Sequence, residues 1–106
     1  MPALIDDARA DEVEGFALRA KAALADGIPV PLYVGGDSSR GLSTTIPRHV
    51  VLLVAAEGDE FVVYEPSSGA LHAWTPAVAN EKPEPALGNW NRIVWAVLPR
   101  FRRAAS

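Results

Sequence analysis

Apolar and polar positions recur along this chain with two different periods, and the change of period marks its elements. In residues 11–25, Val13, Phe16, Ala17, Ala20, Ala23 and Leu24 recur at spacings of three and four, which places them on one face of a helix. Asp11 or Asp7 is positioned to cap its start, Gly15 weakens the first turn, and Gly27 lies where a helix commonly stops. Residues 28–34 then read as a strand. Pro29 and Pro31 within it argue for an edge position or a late beginning. Residues 35–45, rich in Gly, Ser and Thr, read as a mobile loop.

The clearest feature is a β-hairpin, with strands over residues 49–56 and 61–65 around Glu57-Gly58-Asp59-Glu60. Its first strand is continuously apolar, which predicts burial on both faces. Pro66-Ser67-Ser68-Gly69 is a turn, and a short strand follows over residues 70–74, with His72 expected beside Leu71 and Ala73 on its open face. Residues 75–91 form a long irregular excursion containing several prolines. A last core strand over residues 93–98, with Trp95 buried, is stopped by Pro99. The pattern predicts an α+β domain: one N-terminal helix packed on a mainly antiparallel sheet of about five strands.

Composition narrows the picture. The 106 residues form one small domain (residues 1–106), and 49% of them are apolar, three being Trp, so the core is real but modest. At this size an uncovered apolar face favours association with another chain. The net charge of −3 gives no basic surface for nucleic acid, and Arg100, Arg102 and Arg103 read as a solvated tail. There is no cysteine, which excludes disulfides, thiolate metal sites and a cysteine nucleophile carried by this chain. An acidic N-terminus without an apolar segment does not look like a secretory signal, and the apolar run from Val50 to Ala56 is far shorter than the ~20 residues of a membrane span. These features point to a cytoplasmic protein without a membrane anchor and without a cofactor.

The candidate chemistry centres on His49 and Glu65. A histidine at a strand start is a natural general base, and a carboxylate on its other ring nitrogen would fix its tautomer. The two share a face only if the hairpin loop is odd or one strand bulges. A regular two-residue turn at Gly58-Asp59 sets Glu65 opposite Leu52, on the far face. The alternative reading makes them unrelated polar residues at strand ends. For a metal, only His49 and His72 are available, with Asp37, Glu65 and Glu81 as oxygen donors, and no ligand spacing links them, so no metal site is expected. Ser38, Ser39, Ser43, Ser67 and Ser68 lie in loops outside any G-x-S-x-G elbow, and the glycine-rich loop lacks the Lys-Ser/Thr of a phosphate cradle.

The order of features resembles the C-terminal half of papain-like cysteine peptidases, especially the bacterial branch of bacteriocin-processing (double-glycine leader) peptidases. The residues that carry the resemblance are Gly27-Ile28-Pro29-Val30, His49 opening an apolar strand, Glu65-Pro66-Ser67-Ser68-Gly69, and a later Trp-containing strand. The resemblance implies a papain-like fold for about residues 16–98, with His49 as the base and Glu65 as the orienting acid. Two departures accompany it: Glu stands where that family usually has Asp, and the nucleophilic Cys with its upstream Gln has no counterpart. The chain is then a truncated product, a half that meets its nucleophile on a partner chain, or a descendant that lost the chemistry. A half-domain of this kind implies a homo-oligomer or a companion chain. A non-enzymatic reading remains beside it, a small ligand- or peptide-binding module in which Trp74, Trp90, Trp95 and Tyr64 line a groove, with Trp90 and Tyr64 as the contact residues.

Overall fold

A computed structural model of the chain describes residues 2–36, 46–78 and 82–99. The glycine-rich loop with Asp37, Ser38, Ser39 and Ser43, the carboxylate of Glu81, and the basic tail lie outside the described residues. The rest is an α+β domain in which one helix packs on a six-stranded antiparallel sheet.

The helix, α1 (Ala10–Ala25), buries Val13, Phe16, Ala20 and Ala23, the stripe set by its spacing. Its start differs from the expectation. The N-cap is Arg9, extended and without a side-chain cap. Asp11 instead accepts a hydrogen bond from the Arg9 guanidinium at 3.0 Å, and Asp7 is committed elsewhere. The helix ends as its glycine indicates: Gly27, at φ 76°, follows the cap residue Asp26. Gly27 N donates to the Leu24 carbonyl at 3.0 Å and Ile28 N to that of Ala23 at 2.9 Å, which satisfies two orphan carbonyls of the last turn.

The strands are β1 (Pro2–Leu4), β2 (Val30–Gly35), β3 (Pro47–Glu57), β4 (Glu60–Glu65), β5 (Ala70–Trp74) and β6 (Arg92–Val97), arranged β1-β6-β2-β3-β4-β5. Strand β2 is central rather than an edge. It begins late, at Val30, and its ladder with β6 starts at Leu32, beyond both prolines. Strand β1, too short to show in the pattern, adds an edge by pairing with β6.

One face of this sheet carries the core. Val30, Leu32, Leu53, Phe61, Val63 and Ala96 have no exposed surface, and each large apolar side chain so buried contributes about 1.5–3 kcal/mol. Phe16 from α1 and Phe61 from β4 both pack on Trp74, at ring-centroid distances of 6.5 and 6.3 Å. Among the described residues no helix lies on the other face. Strand β3 is therefore buried on one side only: Val51 and Leu53 are enclosed, whereas Val50 is 38% exposed. Trp95 likewise points away from the core and is half-buried, stacked at a tilt against Tyr33, 6.0 Å away. His72 is displaced the opposite way. It pairs with buried Val63 and so shares the core face, while Leu71 and Ala73 are exposed.

Asp7, 3% exposed, ties the N-terminal segment to β6. It accepts from Arg92 Nε at 2.6 Å and from the Ile93 N–H at 2.6 Å. Its replacement, Asp7→Asn, keeps the size but exchanges one of the two acceptor oxygens for an NH2 group, which then faces either the Arg92 guanidinium or the Ile93 N–H, donor against donor. We expect a loss of about 1–3 kcal/mol in urea unfolding, with little change in the slope of the transition. A variant as stable as the parent would show that the clamp is idle.

Candidate active site

The geometry that joins His49 to Glu65 starts with an irregularity in β3. At the hairpin tip Glu57 pairs with Glu60 and Ala56 with Phe61, as a two-residue Gly58-Asp59 turn requires. Between Leu53 and Ala55 the register then shifts by one residue, and beyond it Leu52 pairs with Tyr64. Glu65 therefore reaches the level of Val51 and not of Leu52. Because neighbouring residues on a strand point to opposite faces, this one-residue bulge moves Glu65 onto the face of His49. On its other side His49 pairs with fully buried Val34 of β2.

The two side chains meet. His49 Nε2 donates a hydrogen bond to Glu65 Oε1. The carboxylate is 2% exposed and the imidazole 22%. Glu65 is held from behind by the turn that follows it. The Ser67 and Ser68 backbone N–H groups donate to its two oxygens at 3.2 and 2.8 Å. The Ser67 hydroxyl lies 2.7 and 2.6 Å from them. The Gly69 N–H returns to the Glu65 carbonyl at 2.9 Å and closes the turn. Burial raises the carboxyl pKa, but hydrogen bonds from Ser67, His49 and Ser68 outweigh it and bring the value from 4.5 down to about 2. An ionised carboxylate only accepts. The neutral imidazole thus carries its proton on Nε2 and leaves Nδ1 as the basic nitrogen.

The irregular excursion supplies the wall of this site. Its 3-10 turn, Pro85–Leu87, is capped by the Glu84 carboxylate accepting from Ala86 N at 3.0 Å. Ala86 and Leu87 are buried in the core. The next residue, Gly88, has φ 69°, and a Cβ there would stand 2.6 Å from His49 Cδ2, 2.8 Å from Nε2 and 3.1 Å from Glu65 Oε1. Only a glycine lets the backbone lie this close to the pair. Sequence reading missed Ser67 as a partner and Gly88 as a wall. A serine two residues after the acid was the available signal for the first. Nothing in the sequence ties Gly88 to His49.

The aromatic candidates do not assemble. Trp90 is half-buried against the core, bridged to Glu84. Tyr64, 38% exposed, points from the opposite face of the sheet. Trp74 is a core residue and Trp95 lies on the open face, so the four form no common groove. No group of three His, Asp or Glu side chains that could hold a metal occurs among the described residues. No helix among them is long and apolar enough to cross a membrane.

The arrangement can do one thing chemically: present a tautomer-fixed imidazole as a proton acceptor beside a carboxylate that stabilises its protonated form. Comparison with protein-family models, with curated proteins and with solved structures finds no match for the chain.

Proposed function

We propose that this chain is a papain-like half-domain, silent by itself, whose His49 and Glu65 serve as base and orienter for a thiol carried on another polypeptide. The observation that supports the reading is the hydrogen bond from His49 Nε2 to the buried, ionised Glu65. A polar residue that merely ended a strand would need no such partner. The chain has no cysteine, and a base with its orienter still lacks an attacking group.

In the completed site, His49 Nδ1 takes the proton of the incoming thiol. The thiolate adds to an acyl carbonyl, and the imidazolium returns the proton to the leaving amine as the acyl–sulfur bond replaces the amide. Water then releases the acid, with the same nitrogen acting again as base. Glu65 stays ionised throughout and holds the ring.

The test uses the assembly purified from its native source with this chain tagged, and a peptidyl acyloxymethyl ketone that alkylates activated thiols. Labelling of a cysteine on a co-purifying polypeptide is expected. It should fall about a hundredfold or more in His49→Ala and persist in His72→Ala. Labelling indifferent to His49, or the absence of any thiol-bearing companion, would overturn the reading.

A further inference from the structure

The face of the sheet that α1 leaves uncovered carries a surface of unusual composition. Across it the outward positions of the six strands include Leu4, Tyr33, Val50, Tyr64, Leu71 and Trp95, and the register places them together: Leu4 and Tyr33 both oppose Trp95, Val50 opposes Tyr33, and Tyr64 opposes Leu71. Leu4 is 75% and Leu71 65% exposed. Among the described residues no charged side chain interrupts the stretch between Arg48 and the hairpin tip. Charge lies toward its two ends: Arg48 near the start of β3 and Arg92 of β6, which Asp7 holds, at one, and the paired Glu57 and Glu60 of the hairpin tip at the other. Glu60 precedes buried Phe61, and Arg48, the extra residue of a second irregularity in β3, has its Cγ 3.3 Å from where a Cβ on Gly35, the residue after inward Val34, would stand.

We propose that this face binds a second copy of the chain, sheet on sheet, with the two β3 strands running in opposite directions. Charge complementarity between the two ends of the patch selects this occupant. A two-fold axis lying in the interface perpendicular to β3 sets the Arg48 end of one copy over the Glu60 end of the other, at both rims at once. The uncharged centres then face each other. An isologous contact needs a self-complementary patch, and this one has an apolar middle with opposite charges at its two ends.

The area is sufficient. Six strands spaced ~4.8 Å apart and ~20 Å long make a face of roughly 500–600 Å². Two copies then bury about 1,000–1,200 Å² in total, enough for a weak, reversible dimer and just below the range of tightly bound ones. The sheets would pack about 10 Å apart with their strand directions within about 30°. This dimer is independent of the chemistry proposed for His49. The inward face of each sheet, which carries the His49–Glu65 pair, is turned away from the contact, so both pairs stay open to a further polypeptide.

The experiment is sedimentation equilibrium of the full chain at about 100 µM, a concentration at which an interface of this size is populated. The expected mass is twice the 11.3 kDa of one chain. Leu71→Lys, on an exposed side chain, should yield the single-chain mass with an unchanged far-ultraviolet circular dichroism spectrum. Arg48→Glu should weaken the dimer at least about tenfold, and adding Glu57→Gln with Glu60→Arg to it should restore association. A wild-type chain that sediments as a monomer, a dimer indifferent to Leu71→Lys, or no rescue by the charge exchange would each overturn the proposal.

Discussion

Glu65→Ala should lower folding stability by about 3–5 kcal/mol, the range for removing one partner of a buried, hydrogen-bonded charged group. The cause is what remains behind. The Ser67 and Ser68 N–H groups, the Ser67 hydroxyl and the His49 ring would lose their common acceptor in a space that is 2% exposed. The same residue sets an acid limb on the stability curve. The folded carboxyl titrates at about 2 and its ordinary value is 4.5. The folded state therefore binds the proton less tightly than the unfolded chain does. The stability that Glu65 confers is complete above pH 4.5 and is lost as the pH falls from there toward about 2. Urea unfolding of wild type and Glu65→Gln at pH 6, 4 and 2.5 checks this. The gap between them should narrow steadily on acidification, and a gap constant with pH would show that the carboxylate charge plays no part.

Gly88→Val should be the next most damaging change, with a loss of about 2–4 kcal/mol. A β-branched residue is strained at φ 69°, and its Cβ would fall 2.6 Å from the imidazole. Either the turn carrying Ala86 and Leu87 lifts from the core, or His49 swings off Glu65. The ¹⁵N shifts of His49 report which nitrogen holds the proton. In wild type the neutral ring should show Nε2–H with a bare Nδ1, and in Gly88→Val it should show a mixture of tautomers. A destabilised variant that keeps the wild-type tautomer would assign Gly88 to the backbone turn alone. Together the two substitutions separate the acceptor behind the ring from the wall in front of it.

The elements that the sequence made legible are those whose rules are local. The helix follows from the spacing of Val13, Phe16, Ala20 and Ala23, and its end from Gly27. The Gly58-Asp59 turn follows from residue type in the same way. What stayed hidden depends on contacts between distant segments. Asp7 resembles a helix cap until Arg92 and the Ile93 N–H, far along the chain, take its oxygens. The apolar run of β3 suggested cover on both sides, but one short helix can shield only one face of a sheet. The remaining face leaves Val50, Tyr33 and Trp95 outward. His72 was misplaced because a short strand such as β5 takes its facing from its neighbour, here from Val63 of β4. The His49–Glu65 pair was legible only as a condition on the hairpin, that one strand hold an extra residue. Val54 is chemically like Val50 or Val51, so nothing marked it as that residue.

That extra residue has an evolutionary side. Substitutions around β3 and β4 can change size, charge or hydropathy and still leave His49 and Glu65 in view of each other. A single-codon deletion at Val54 would send Glu65 through the sheet without altering either residue, and a compensating codon added elsewhere in the hairpin would bring it back. The trait is stored in whether a count is odd or even. Relatives of this chain would then conserve the parity of the spacing from histidine to acid more strictly than any side chain between them.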